Sequence, residues 1–196
     1  MGRKMEWASR EKHMGGIPRK MVFLAVGAFA KAVATLLNTT SVHKADTLLR
    51  LVRSRSTGIP LLTVSNHMST LDDPLLWGFK GFPSVDAKLA RWALAAEDIC
   101  FKNSLFTYFF RLGKCIPIKR GGGIYQEHMN EALRCLNNGA WLHTFPEETT
   151  SRRWPAISSQ GLALDEAAQR CLYSTISEQI QTAMEKLRGL GKSFLK

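Results

Sequence analysis

Acidic residues are scarce: the 196 residues include 27 Lys and Arg against 16 Asp and Glu, a formal charge of +11. That deficit favours an anionic partner, whether nucleic acid, a phospholipid surface or a phosphorylated substrate, although solubility with an incidental surplus is the plain alternative. Cysteine is also sparse. Cys100, Cys115, Cys135 and Cys171 are far apart and form no Cys-x-x-Cys pair, which excludes a zinc framework and a dense disulfide scaffold. They read as reduced, mostly packing residues of a compartment that is not strongly oxidising. No internal repeat or low-complexity segment is present. Nor is there a Gly-x-Ser-x-Gly elbow, a P-loop or a Rossmann glycine pattern, so a covalent nucleophile of the usual type is not recognisable. Nucleic-acid binding would rest on charge alone, since no recognition module and no interleaved basic–aromatic stretch accompanies it.

What is there begins with a core. Hydrophobic residues make up 45% and charged residues 22%, close to ordinary globular usage, and the length suits one domain. Residues 1–20 form a basic segment carrying Arg3, Lys4, Arg10, Lys12, Arg19 and Lys20. Residues 21–40 follow as a hydrophobic segment, in which "MVFLAVGAFAKAVATLL" (21–37) is an apolar run with Lys31 as its one charge. A spanning helix needs ~20 apolar residues, and a central lysine costs roughly 2.5–3.5 kcal/mol on insertion scales. A helix lying in the membrane interface suits the segment better, with Lys31 reaching the headgroups and the basic flank attracting anionic lipid. A helix buried in the domain is the competing reading, because length alone does not separate the two. No small-residue cleavage site of a secretory signal follows.

Further along, "GIPLLTVSN" (58–66) reads as a short buried strand. "DPLLWGF" opens a helix, with Asp73 as cap and Pro74 at the first helical position. "AKLARWALAA" (87–96) is ambiguous between strand and helix, and "KCIPIKR" (114–120) is a strand whose internal proline places it at an edge or makes it irregular. "GGGIYQEHMNEALRCLNNG" (121–139) has helical spacing with a stop at its end, and "AWLHTF" (140–145) is the next strand, as in half of a βαβ unit. These elements predict an α/β fold: a central, mostly parallel or mixed sheet flanked by helices. Residues 148–196 change character, with a polar stretch followed by an amphipathic helix over 165–190, whose stripe is Ala168, Leu172, Ile176, Ile180, Ala183 and Leu187. A packing role explains that stripe without a membrane or a partner.

"LLTVSNHMSTLDDPLLWG" (61–78) places His67 and Asp72 five positions apart. In a regular helix such residues are turned ~140° from each other, so they meet only if the chain bends between them. Asn66, Ser69 and Asp73 are suited to such a bend, and a strand end opening onto a helix is where α/β sites sit. If the two meet, Asp72 accepts the proton of one imidazole nitrogen and leaves the other as a general base, suited to deprotonating an attacking hydroxyl. On spacing alone, two polar residues closing a turn are the preferred reading, because short His/Asp motifs often match by chance.

"NHMSTLDDP" resembles the His-x4-Asp block of the glycerolipid acyltransferases. "LGKCIPIKRG" (112–121) is similar to their second block, which ends in a phosphate-binding arginine, and "HTFPE" (143–147) to the start of their Phe-Pro-Glu-Gly block. With "RWALAAEDICF" (91–101), the likeness narrows to the tafazzin family of phospholipid–lysophospholipid transacylases and runs from about residue 20 to residue 147. It implies an acyltransferase domain over 41–147 in which His67 deprotonates a lysophospholipid hydroxyl and Asp72 orients it. Arg120, with Lys119 and Lys114, would hold the lipid phosphate, and Pro146 and Glu147 would complete the site. The donor would be a phospholipid or acyl-CoA as substrate, with no cofactor and no metal. The resemblance places the chain on the surface of a mitochondrial membrane, with the endoplasmic reticulum as the alternative.

The pattern breaks at Glu148, where the family has glycine, and no later Val-Pro-Ile-Val-Pro strand block follows. The tail from "WPAISSQGLALDEAAQR" resembles the end of plant-like tafazzins. The chain thus reads as a shortened form in which a central section has been left out after Glu147, with an incomplete sheet and impaired activity expected. A non-catalytic, phospholipid-binding form is the alternative.

Overall fold

The computed structural model describes residues 5–145, apart from positions 39, 68, 70, 121 and 123–125, and a few positions between 178 and 189. The chain divides into two units, Met1–Glu148 and Thr149–Lys196. In the second, the described positions Glu178, Gln179, Ile180, Thr182, Glu185, Lys186 and Gly189 are helical. The rest of the expected 165–190 helix lies outside the described residues.

The first unit is built on four short strands: β1 (Leu61–Val64), β2 (Trp92–Ala96), β3 (Cys115–Ile118) and β4 (Trp141–Thr144). Their order is β1-β4-β2-β3 and every pairing is parallel. Parallel neighbours require crossovers, and the helices supply them. These are α1 (Ile17–Ala32), α2 (Ala45–Arg53), α3 (Asp72–Leu76), α4 (Glu97–Cys100), α5 (Ser104–Leu112) and α6 (Met129–Asn137). The ambiguous 87–96 stretch resolves as strand over its second half. β3 lies at an edge, where Pro117 removes no ladder hydrogen bond from a second neighbour. The helix expected over 121–139 begins only at Met129 and stops where Gly139 takes a φ of 73°, a left-handed conformation open to glycine.

Alternation along the strands sorts the core into two layers. On one face Trp141 packs with Val52, Trp77, Phe79 and Phe82, and Ala93 and Cys115 pack with Phe101. On the other, Ile116 and Leu142 pack with Ala132 of α6. Burying a side chain such as Phe82, 4% exposed, contributes roughly 1.5–3 kcal/mol.

The apolar N-terminal segment is a helix with one face covered by the domain. Helix begins at Ile17 with Pro18 in its first turn and runs to Ala32, continued by a wider turn over Val33–Leu37. One face, carrying Phe23, Gly27 and Ala30, is buried in the domain. Gly27 packs so closely that a Cβ there would stand 2.6 Å from the Ser84 carbonyl oxygen. The opposite face leaves Ile17, Met21, Leu24 and Phe29 more than half exposed.

Candidate functional site

Because all four strands are parallel, their carboxyl ends share one rim, the place where α/β sheets hold ligands. After β1 come Ser65, Asn66 and His67; after β2, Glu97 and Asp98; after β3, Lys119 and Arg120; after β4, Phe145.

His67 and Asp72 do meet. His67 Nδ1 lies 3.3 Å from Asp72 Oδ2, and both side chains are largely covered. The bend that joins them is a turn: the Ser69 amide donates to Asp72 Oδ2 at 2.8 Å, and the Asp72 amide donates to the Ser69 carbonyl at 2.9 Å. One carboxylate oxygen thus reaches back to the amide three residues before it, as in a capping box, and also faces the imidazole. The His67 ring also lies 4.3 Å, centroid to centroid, from Phe145, which ties the β1 loop to the end of β4.

Asp73 does not cap α3 as expected. It turns to Arg91, accepting from Nε at 3.1 Å and from the terminal nitrogen of the same guanidinium, and from Trp77 Nε1 at 3.4 Å. Burial opposes ionisation of Asp73, but the charge and hydrogen bonds of Arg91 outweigh it and hold the carboxyl below its ordinary range. Arg91 also lies over the Trp77 ring. The pair anchors α3, and with it the turn carrying Asp72, to the start of β2.

Lys119 and Arg120 stand on the same rim but at the other edge of the sheet. Three interstrand spacings separate the ends of β1 and β3, about 14 Å. Arg120 is ion-paired with Asp98, and the two line a surface depression with Glu97, Lys102 and Lys119. Lys114 does not belong to this group. It precedes β3, so it sits at the opposite rim, about 16 Å of extended chain from Lys119. It is 7% exposed and donates from Nζ to the Ala90 carbonyl at 2.9 Å. Burial, with nearby Arg19, pushes its ammonium down to about 8. Its alternation with Lys119 and Arg120 in one motif concealed that a four-residue strand lies between them. Pro146 and Glu147 lie outside the described residues. Among the described residues, no group of three or more His, Cys, Asp or Glu side chains is gathered to hold a metal ion.

A second histidine lies beneath the rim. His143 on β4 is 1% exposed, with Thr63 Oγ1 at 2.8 Å from Nδ1 and Ser65 Oγ at 3.2 Å from Nε2. Thr63 Oγ1 accepts from Trp141 Nε1 at 2.8 Å. Burial pushes the His143 imidazole down to about 4, against the opposing charge of Asp73. The sequence offered only a lone histidine in an apolar strand, and nothing in its spacing predicts Thr63 or Ser65 as partners.

Comparison with known proteins gives this geometry a setting. The acyltransferase family matches residues 40–187. N-acylphosphatidylethanolamine synthase of Arabidopsis thaliana is 45% identical over 282 aligned positions, which cover 98% of this chain and 99% of the relative. With 196 residues here, at least 86 of those 282 positions face a gap in this chain. Tafazzin of Drosophila melanogaster is 46% identical over 129 residues, 65% of this chain and 34% of the relative. Taffazin of Dictyostelium discoideum is 42% identical over 138 residues, 68% of this chain and 47% of the relative. The chain therefore spans a third to a half of these two tafazzins. No solved structure matches it significantly. A parallel α/β sheet, with a match across most of its length and homologues of this identity, makes the chain a member of the acyltransferase family.

Proposed function

We propose that the chain carries the acceptor-activating half of a phospholipid acyltransferase site, with His67 as general base and Asp72 as its orienting carboxylate. The observation that carries this reading is the 3.3 Å approach of His67 Nδ1 to Asp72 Oδ2 on the strand-end rim of an acyltransferase-family fold. With Nδ1–H toward Asp72, Nε2 is left with its lone pair. It takes the hydroxyl proton of a lysophospholipid as the oxygen attacks the carbonyl carbon of an acyl ester or thioester. The tetrahedral intermediate collapses by breaking the bond to the donor's oxygen or sulfur. That leaving group takes the proton back from the imidazolium, whose charge Asp72 stabilises. No cofactor or metal enters these steps; the donor is a phospholipid or acyl-CoA.

Lys119 and Arg120 are the proposed phosphate contacts, by charge-assisted hydrogen bonds. At about 14 Å between strand ends, no phosphate oxygen touches both His67 and Arg120 without the reach of the arginine side chain, so the lipid lies across the rim. Its phosphate must also compete with Asp98 for Arg120. Pro146 and Glu147 complete the site by resemblance. The place of action is a membrane surface, proposed as mitochondrial from the likeness to tafazzins. The aligned positions with no counterpart here are proposed to fall after Glu147, and their loss to lower activity.

The plant relative favours a second acceptor. Its name gives its product as an N-acylated phosphatidylethanolamine, and its likeness covers nearly the whole chain. The same base can take a proton from the ammonium of phosphatidylethanolamine, so that the neutral amine attacks the acyl carbonyl in place of a hydroxyl. Incubation of the purified chain with vesicles holding labelled lysophospholipid and phosphatidylethanolamine, and with phospholipid or acyl-CoA donor, separates the cases. O-acylated lysolipid lost with His67→Ala supports the hydroxyl reading, and N-acylated product supports the amine. Vesicle binding with neither product identifies a non-catalytic binder and ends the enzymatic reading.

A further inference from the structure

The catalytic reading uses His67, Asp72 and the basic rim, and leaves unexplained why a fully buried histidine should lie below them. Buried polar groups are costly unless hydrogen-bonded, and His143 has both ring nitrogens engaged by neighbours. Those neighbours are not arbitrary. Thr63 lies on β1 and Ser65 directly after it, in the stretch that leads to His67. The Phe145 ring stands between the two histidines: perpendicular to His143 at 4.6 Å and tilted against His67 at 4.3 Å. Trp77, the residue that ends α3, the helix that carries Asp72, sets its ring perpendicular to His143 at 4.9 Å. His143 thus touches the β1 end, α3 and the ring that packs on His67.

We propose, on the catalytic reading above, that His143 is a positioning residue: a buried neutral imidazole that holds Ser65, Phe145 and Trp77 in place, so that His67 keeps Nδ1 turned toward Asp72. The proposed tautomer is built from the one fixed end of this chain of bonds. Trp141 Nε1 is only ever a donor, so Thr63 Oγ1 accepts there and keeps its own proton to give, which in the proposed tautomer goes to His143 Nδ1. Nε2 of His143 then carries the hydrogen and donates to Ser65 Oγ. This tautomer puts an uncharged ring under the site. The burial that pushes His143 down to about 4 keeps it uncharged at working pH. A charge there would repel the imidazolium that His67 becomes during transfer.

The test is His143→Phe, which keeps a ring of similar size without the nitrogens, beside His143→Gln, which restores a donor close to the place of Nε2. Acyl transfer is measured together with the nitrogen-15 signals of the histidines in the micelle-bound full chain. Wild type is expected to show His143 protonated on Nε2 and His67 on Nδ1. In His143→Phe, kcat is expected to fall at least tenfold with KM within about twofold, and His67 to average between its two tautomers. His143→Gln should recover kcat to within about threefold of wild type. A folded His143→Phe chain with unchanged His67 signals overturns the proposal. If His143→Phe does not fold, Ser65→Ala and Phe145→Leu take its place, and unchanged His67 signals in both overturn it. Should wild type transfer no acyl group, the acyltransferase reading fails by itself and the nitrogen signals alone decide whether His143 positions His67.

Discussion

Asp72 and Asp73 are adjacent carboxylates with separate tasks, and their substitutions should fail differently. Asp72 faces His67 and the Ser69 amide; Asp73 faces Arg91 and Trp77. Asp72→Asn keeps the shape but offers no negative charge to an imidazolium. It should lower kcat by about 10²- to 10⁴-fold, the range that general base catalysis contributes, with an unchanged circular dichroism spectrum. Arg91→Ala instead leaves Asp73 without its partner in a largely covered place. A loss of about 3 kcal/mol is expected, read as a lower denaturant midpoint. His143 sets a pH dependence. Its folded value of about 4 lies below the ordinary 6.5, so between those values the unfolded chain binds a proton that the folded chain does not. Stability from this residue is therefore full above pH 6.5 and falls toward pH 4, by up to about 1.4 kcal/mol per pH unit. Asp73, Arg91 and His67 are the charged or titratable groups that face it. Denaturant titrations of wild type and His143→Phe across this window should diverge in slope.

At the scale of elements, β1, β3 and β4 were legible because short apolar runs between turn residues leave few alternatives, whereas β2 lay in a stretch ambiguous between strand and helix. The proline in "KCIPIKR" allowed an edge or an irregular strand, and β3 lies at an edge. Helix starts were less legible. Asp73 has the right chemistry for a cap, but an arginine 18 residues away competes for it, and no local pattern shows that contest. The turn joining His67 to Asp72 could be argued from Asn66 and Ser69, whereas Lys114 could not be separated from Lys119 until strand length put them on opposite rims. α1 shows the limit most clearly. Apolar composition cannot say which face of a helix is covered, and the answer here is one face of two. The exposed row of Ile17, Met21 and Leu24, with Lys12 and Lys20 exposed beside it, suits an interfacial helix on anionic lipid. Met21→Glu with Leu24→Glu should reduce sedimentation with anionic vesicles at least tenfold while leaving the melting temperature within a few degrees. Gly27→Ala, on the buried face, should lower the melting temperature instead. Equal vesicle binding by the double variant would remove the membrane role of this face.

For the whole molecule, the decisive quantity is what the chain lacks relative to its plant relative. At least 86 aligned positions have no counterpart, yet the His67–Asp72 pair, the Asp73–Arg91 anchor and the strand-end rim all form from the residues that remain. A base and its orienting carboxylate are local; the wall that encloses an acyl chain is not, because it is assembled from many elements and must bury a large apolar surface. Acceptor activation is therefore expected to survive, while donor binding weakens. This separates the kinetic parameters: in the chain as it stands, KM for the acyl donor should rise more than kcat falls. The comparison that checks it removes from the plant relative the positions that face the gap and assays the relative, its shortened form and this chain side by side. The shortened relative should drop at least tenfold in kcat/KM for the donor, to the level of this chain. His67→Ala in this chain should abolish whatever turnover is left. A shortened relative as active as its parent would show that the section is dispensable, and any weakness of this chain would then have to be sought in its own substitutions, beginning with Glu148.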